Sequence, residues 1–392
     1  MASTVDTSVK FAHSSMPGAP VINGQAGSRL SALKAFLVTG FGVKAVDAGG
    51  TISAGKCRLP FGSGASAAAP NSVVLVSGAT PAAINGEQKV TAVGAAWVEF
   101  ATALPDGLVT GGGISFKIAP LGWEEVYSKT NVSVFRPTDP RGTRPYLRVD
   151  DSNALYAIVQ MFETMSDVDT GTNGTPARFW FGRSSASATG VVWTMAGDSR
   201  AVIYAPHPFT AGPGVWAQYA AQMNFFGDLL NFRSGDAYCA VISGATDTAV
   251  SDVSGDVSQT GANGVHVMRI AAGIGTQASA SLQSWALGTS GAPSGNHMGS
   301  APARADASLR FAPILVSDGG AFVVNGPRGA FPGIFHCPQT GVSSMVENGP
   351  QQTAGSGDFL GRSLLSAYVG APQTNGPQGV AFIDITGPWR PQ

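Results

Sequence analysis

The sequence predicts a mainly β fold: a β-sandwich-like body, an inserted small β-barrel-like module and one short N-terminal helix. Short runs rich in Val, Ile, Phe, Tyr and Trp recur along the chain, separated by Gly-, Pro- and Asn-rich turns at roughly 8–12-residue spacing. Only one stretch carries apolar residues at helical spacing. Glycine (52) and proline (25) make up nearly a fifth of the 392 residues, a composition suited to tight turns.

Residues 1–46 read as an N-terminal arm followed by the helix. Ser28 is placed to cap it, Leu30, Leu33, Phe36 and Leu37 share one face, and Gly40 and Gly42 stop it. Residues 47–119 read as the small module. Val73–Val76, Gln88–Val93, Trp97–Phe100 and Ile114–Ile118 are its strands, and Asn85-Gly86 is a turn dipeptide. Residues 120–240 form a β-rich body with strands at Tyr146–Asp150, Ala157–Glu163, Phe179–Phe181, Val191–Met195 and Ala201–Tyr204. Residues 241–305 are a Gly/Ser-rich insertion with one strand, Val265–Ile270. The C-terminal β-rich part, 306–392, adds Leu309–Phe311, Ile314–Val316, Ala321–Val324 and Gly379–Ile385.

Charged residues are 12 % of the chain, about half the usual share, and the net charge is −1. Hydrophobic residues at 44 % argue against disorder. So few charges give weak protection against association, which suits a subunit packed among copies of itself. A nucleic-acid partner is not expected. The densest basic stretches are Lys56 with Arg58, and Arg136, Arg141, Arg144 and Arg148. The second is broken by Pro137, Asp139, Pro140 and Pro145 and reads as a solvated turn. Cys57, Cys239 and Cys337 lie far apart and suggest neither a disulfide framework nor a metal knuckle. No basic region followed by an apolar run opens the chain, and no stretch of about 18 apolar residues occurs, so neither a secretory leader nor a membrane span is expected.

Candidate chemistry is sparse. His336-Cys337 lacks the further ligands zinc needs, and neighbours on a strand point to opposite faces. His13-Ser14-Ser15 with Asp47 or Asp150 lacks a Gly-x-Ser-x-Gly elbow. Asp167 and Asp169, with Asp150 and Asp151 upstream, lack the calcium-loop spacing and read as a solvated acidic turn. No phosphate-binding Gly-rich loop is present. Catalytic, cofactor and metal sites are therefore all expected to be absent. Trp180, Trp193, Trp216 and Tyr219 are the candidates for contact with a glycan or a partner; with Phe225 and Phe226 they read otherwise as core filling.

Several stretches resemble a family of uncharacterised virion structural proteins of tailed phages and proteobacterial prophages. They are Lys10-Phe11-Ala12-His13-Ser14-Ser15-Met16-Pro17-Gly18-Ala19-Pro20, Thr39-Gly40-Phe41-Gly42, Leu121-Gly122-Trp123-Glu124, Tyr146–Asp151, Phe162–Gly171 and Phe225–Leu229. Val76–Pro81 with Asn85-Gly86 and Val90–Val93 looks like a small β-module of phage tail and fibre proteins. The resemblance covers about 10–235 and returns at Gly355–Arg362. It implies a virion component, tail or baseplate, assembled in the bacterial host cytoplasm, whose partners are copies of itself and other virion proteins. It carries no catalytic residues. A host receptor-binding protein recognising glycans or pili, a head decoration protein and a cell-wall or capsule hydrolase are the alternative expectations.

Overall fold

The computed structural model describes residues 5–62, 64–175, 179–182, 188–207, 216, 221–233, 235–236, 238–244, 265–269, 278–283, 309–318, 327–337, 342, 345–369 and 379–391. For 179–182, 278–283 and 317–318 this covers the backbone alone. Tyr219, Trp285, the expected strand Ala321–Val324 and most of the 241–305 insertion lie outside it.

The fold is mainly β, built of antiparallel sheets with one short helix. In chain order the first elements are β1 (Lys10–His13), α1 (Ser28–Lys34), a π-helical turn (Ala35–Thr39) and β2 (Phe41–Ala45). Leu30, Leu33, Phe36 and Leu37 are buried together, as their spacing predicts. The cap differs from expectation. Ser28 is the first helical residue and its hydroxyl donates back to the Asn23 carbonyl. The carboxylate of Asp151 accepts from the Arg29 and Leu30 amides (2.9 and 3.2 Å) and also faces the Arg29 guanidinium. A distant loop thus satisfies amides that helix geometry leaves open, and with an anion, which the helix dipole favours. Gly40, at φ 71°, ends the helical segment.

An eight-stranded sheet takes all its strands from 41–118: β2, β3 (Gly50–Ser53), β4 (Lys56–Pro60), β5 (Val73–Ser77), β6 (Gly86–Gly94), β7 (Trp97–Ala101), β8 (Gly107–Val109) and β9 (Ser115–Ile118). Its order is β2-β9-β5-β6-β7-β4-β3-β8, antiparallel throughout. The sheet is open and not a closed barrel; isolated bridges Val46–Phe61 and Thr80–Thr110 fasten its margins. In β3 and β4, Ile52, Cys57 and Leu59 turn inward while Thr51, Ser53, Lys56 and Arg58 face water. At the expected Asn85-Gly86 turn only Gly86 has positive φ. Asn85 is extended and acts through its side chain, which bonds both the amide and the carbonyl of Ala79 (2.8 Å each).

A five-stranded sheet orders β10 (Glu124–Lys129), β11 (Val132–Arg136), β12 (Tyr146–Asp150), β13 (Tyr156–Phe162) and β16 (Phe179–Gly182). Between β13 and β16 lies a small ribbon, β14 (Thr164–Met165) with β15 (Gly171–Thr172). The largest sheet has 13 strands. It runs from β1 through β17 (Val192–Gly197), β18 (Ala201–His207), β19 (Asn224–Asp228), β21 (Ala240–Ser243), β22 (Val265–Val267) and β23 (Ala278–Gln283). It continues through β24 (Ala312–Asp318), β25 (Gly329–His336), β28 (Gly379–Asp384), β27 (Ser363–Val369) and β26 (Gly349–Ala354), with β20 (Leu230–Asn231) paired to β25. Every residue of β17, β18, β19 and β21 is buried, so both faces of this region are covered, as near-continuous apolar runs such as Val-Val-Trp and Ala-Val-Ile-Tyr require.

The eight-stranded sheet is tied to the large sheet by polar contacts. Asn71 donates to Gln352 and Ser363 (2.8 and 3.0 Å). The buried Lys89 ammonium reaches the carbonyls of Ile385 (2.9 Å), Thr386 (3.3 Å) and Val9 (3.5 Å). Burial pulls the pKa of Lys89 down to about 8.

Candidate functional site

Three segments, with Ser8 beside them, converge on a cleft of about 240 Å³. The first is the β11–β12 loop, Pro137-Thr-Asp-Pro-Arg-Gly-Thr. Asp139 folds it by accepting the Arg141 amide on its own side chain (3.0 Å), while its carbonyl takes the Gly142 amide (3.1 Å). A Cβ at Gly142 would lie 2.9 Å from the Asp228 carboxylate and 3.1 Å from Arg200 Cδ, so a larger residue there would push these side chains aside. The second segment is the β17–β18 turn. One oxygen of Asp198 accepts the Arg200 and Ala201 amides (2.8 Å each). The third is the C-terminal Pro388-Trp389-Arg390. It is anchored by the Trp389 indole, which donates to the Asp384 carbonyl (2.8 Å) and fills the space a side chain at Gly333 would need.

These anchors fix a network of three guanidinium groups and two carboxylates. Asp139 receives Arg141 through Nε and Nη2 (3.0 and 2.9 Å), Arg200 through Nε (3.1 Å) and the Ser199 hydroxyl (2.7 Å). Arg141, with Ser199 and Arg200 adding to it, holds the Asp139 carboxyl far below the usual carboxylate range against the opposing effect of burial. Arg390 donates to the second oxygen of Asp198 (2.7 Å) and to the carbonyls of Leu229 and Asp228 (3.0 and 2.6 Å). Behind the cleft, Thr143 donates its amide and hydroxyl to Asp228, whose pKa burial pushes up.

Of this set the sequence marks out only Arg141 and Asp139, as parts of a solvated turn. Asp198, Arg200 and Arg390 carry no motif. The available signals are two turn-forming patterns, Asp-Pro-Arg-Gly and Gly-Asp-Ser-Arg, and the Pro-flanked Trp-Arg of the C-terminal segment; none of them indicates that the three segments meet.

The aromatic candidates do not gather there. Trp193 is 0 % exposed, and its indole donates to the Pro20 carbonyl (3.1 Å). It is therefore core and offers no face to a glycan. Trp216 is half-buried, with its indole donating to Ser15 (2.9 Å), its ring packed flat on Gly349, and the edges of His13 and His207 beside it. Trp180 sits opposite Ile158 in the β13–β16 ladder, its side chain outside the described residues, as is all of Tyr219. Phe225 and Phe226 are buried.

Most of the remaining sequence candidates are held in structural contacts. Ser14 accepts the Trp193 amide, and His13 Nδ1 has no hydrogen-bond partner among the described residues. Asp169 pairs with Lys129 (2.6 Å) and Arg148 (2.8 Å), and Asp167 caps the amides of Asp169 and Thr170. Cys57, Cys239 and Cys337 are buried and not disulfide-bonded. Among the described residues no three of His, Cys, Asp or Glu gather as metal ligands, and no helix is long and apolar enough to cross a membrane. The chain matches no protein-family model and no curated protein at a significant level.

Proposed function

We propose that this chain is a structural component of a tailed bacteriophage virion, of the tail or baseplate, that acts by oligomerising and by contact with other virion proteins. One observation carries the reading. The two outermost strands of the eight-stranded sheet each present an apolar side chain to water, Val43 at 68 % and Leu108 at 72 % exposure. Apolar side chains standing in water at strand margins favour contact with another chain, even where the bridges Val46–Phe61 and Thr80–Thr110 fasten the strand ends. The 12 % charge content leaves little electrostatic protection elsewhere. The stretches resembling phage virion proteins supply the setting. Charged groups inside the fold are engaged in ties between segments, which fits a mechanical part.

The glycan-binding alternative finds no exposed ring in Trp193, and among the described residues Gly349 lies against the ring of Trp216. Light scattering of the purified protein should report a closed oligomer, and Val43→Lys with Leu108→Lys should reduce it to folded monomers. Mass spectrometry of purified particles should find the chain in fixed ratio to other virion proteins. A wild-type protein that stays monomeric at its highest soluble concentration, or particles lacking the chain, would defeat the proposal.

A further inference from the structure

The geometry points to the arginine cleft as a binding site for a phosphate-type oxyanion, a role independent of assembly. Arg141 and Arg200 grip the same carboxylate, Asp139, from two sides. Arg141 spends Nε and Nη2 on it and Arg200 spends Nε alone. Nη1 of Arg141 and both Nη atoms of Arg200 have no partner among the described residues, and both side chains line the cleft. A guanidinium held by a carboxylate along one edge presents its other N–H groups in fixed directions, so little rotamer freedom remains to be lost on binding.

The charge balance favours an anion. Arg141, Arg200 and Arg390 face Asp139 and Asp198, a formal surplus of one positive charge in the lining. Arg390 is consumed by Asp198 and two backbone carbonyls, so it contributes charge and the two free guanidinium edges contribute hydrogen bonds. Those edges come from two separate groups and offer more donors than the two oxygens of a carboxylate can accept. The three oxygens of a phosphate monoester match them better. The cleft volume leaves room for part of the molecule that carries the phosphoryl group.

The oxyanion could come as free phosphate or as a phosphoryl group on a saccharide, and calorimetry on the full chain separates the two. Inorganic phosphate, glucose 1-phosphate and the neutral methyl glucoside are titrated in turn. Saturable one-to-one binding of a phosphate ligand, with none of the glucoside, is expected. Equal binding of both phosphate ligands makes free phosphate sufficient, and binding of glucose 1-phosphate alone makes the sugar-borne group the ligand. Losing a charged hydrogen bond should weaken affinity about tenfold in Arg141→Gln and at least as much in Arg200→Gln. Arg141 is 72 % exposed at its side chain, so its variant should keep the wild-type melting temperature and remain a fair test even if Arg200→Gln is destabilised. The inference fails if neither phosphate ligand binds, if the glucoside binds as well as glucose 1-phosphate, or if Arg141→Gln binds like the wild type.

Discussion

The eight-stranded sheet and the large sheet solve the same problem in opposite ways. In the former, strands such as β3 and β4 alternate between core and water, so their own polar side chains stand on the wet face. In the latter, β17, β18, β19 and β21 are covered on both faces, and polar groups that cannot reach water must find each other. Arg328, fully buried, is held by Asp236 through two hydrogen bonds (2.6 and 2.9 Å) and by the carbonyls of Arg269 and Tyr238. Arg29 is enclosed by Asp151 and the Tyr204 hydroxyl (2.9 Å). In the one-sided sheet the ion pairs reach water through their cations: Glu99, itself buried, meets the exposed Lys56 and Arg58, and Arg58 lies over the Trp97 ring at 4.1 Å. Ion pairs of the two kinds should therefore differ several-fold in what their loss costs.

The largest effect is expected from Asp236→Ala. It leaves the Arg328 guanidinium buried without its counter-charge and should cost about 3–5 kcal/mol in denaturant unfolding. A loss under about 1 kcal/mol would erase the contrast.

Next comes acid. Burial lowers the His13 pKa to about 4, against 6.5 in the unfolded chain. The unfolded state therefore takes up its proton first, and stability falls as pH drops from 6.5 to 4, by about 3 kcal/mol from this residue. His13→Phe, which keeps a ring beside Phe11 and Trp216, should flatten that part of the pH profile. An unchanged slope would mean that other groups set it.

The smallest effect belongs to the one-sided sheet. Lys56→Ala removes one arm of the Glu99 pair from a side chain 60 % exposed and should cost less than about 1 kcal/mol. A loss as large as that of Asp236→Ala would show that surface pairs there are structural after all.

Legibility in the sequence follows the same division. Tyr146–Asp150 is readable because it alternates, and it is half-buried in alternation (β12). The helix is readable because Leu30, Leu33, Phe36 and Leu37 recur with its period. Its cap is not, since Asp151 lies 122 residues from Arg29 and Ser28 is a locally plausible substitute. The hairpin of β10 and β11 carries no glycine at its tip; Asn131 takes the left-handed conformation there (φ 59°), a weaker signal than Asn-Gly. β2 lies at and just past the glycines that stop the helix, inside the segment 1–46 that reads as arm and helix, and joins the eight-stranded sheet through β9. The arginine cleft was illegible for a related reason. Its members are ordinary turn and end-segment residues whose meeting depends on the assembled topology, and Asp198 and Arg390 lie 192 residues apart.

The Lys89 ammonium has a consequence for synthesis. Its acceptors come from Val9, translated before it, and from Ile385 and Thr386, translated 296 and 297 residues after it. While the ribosome is still short of that point the charge lacks two of its three carbonyls and stays in water. Docking of the eight-stranded sheet onto the rest therefore waits until residues 385–386 have been made.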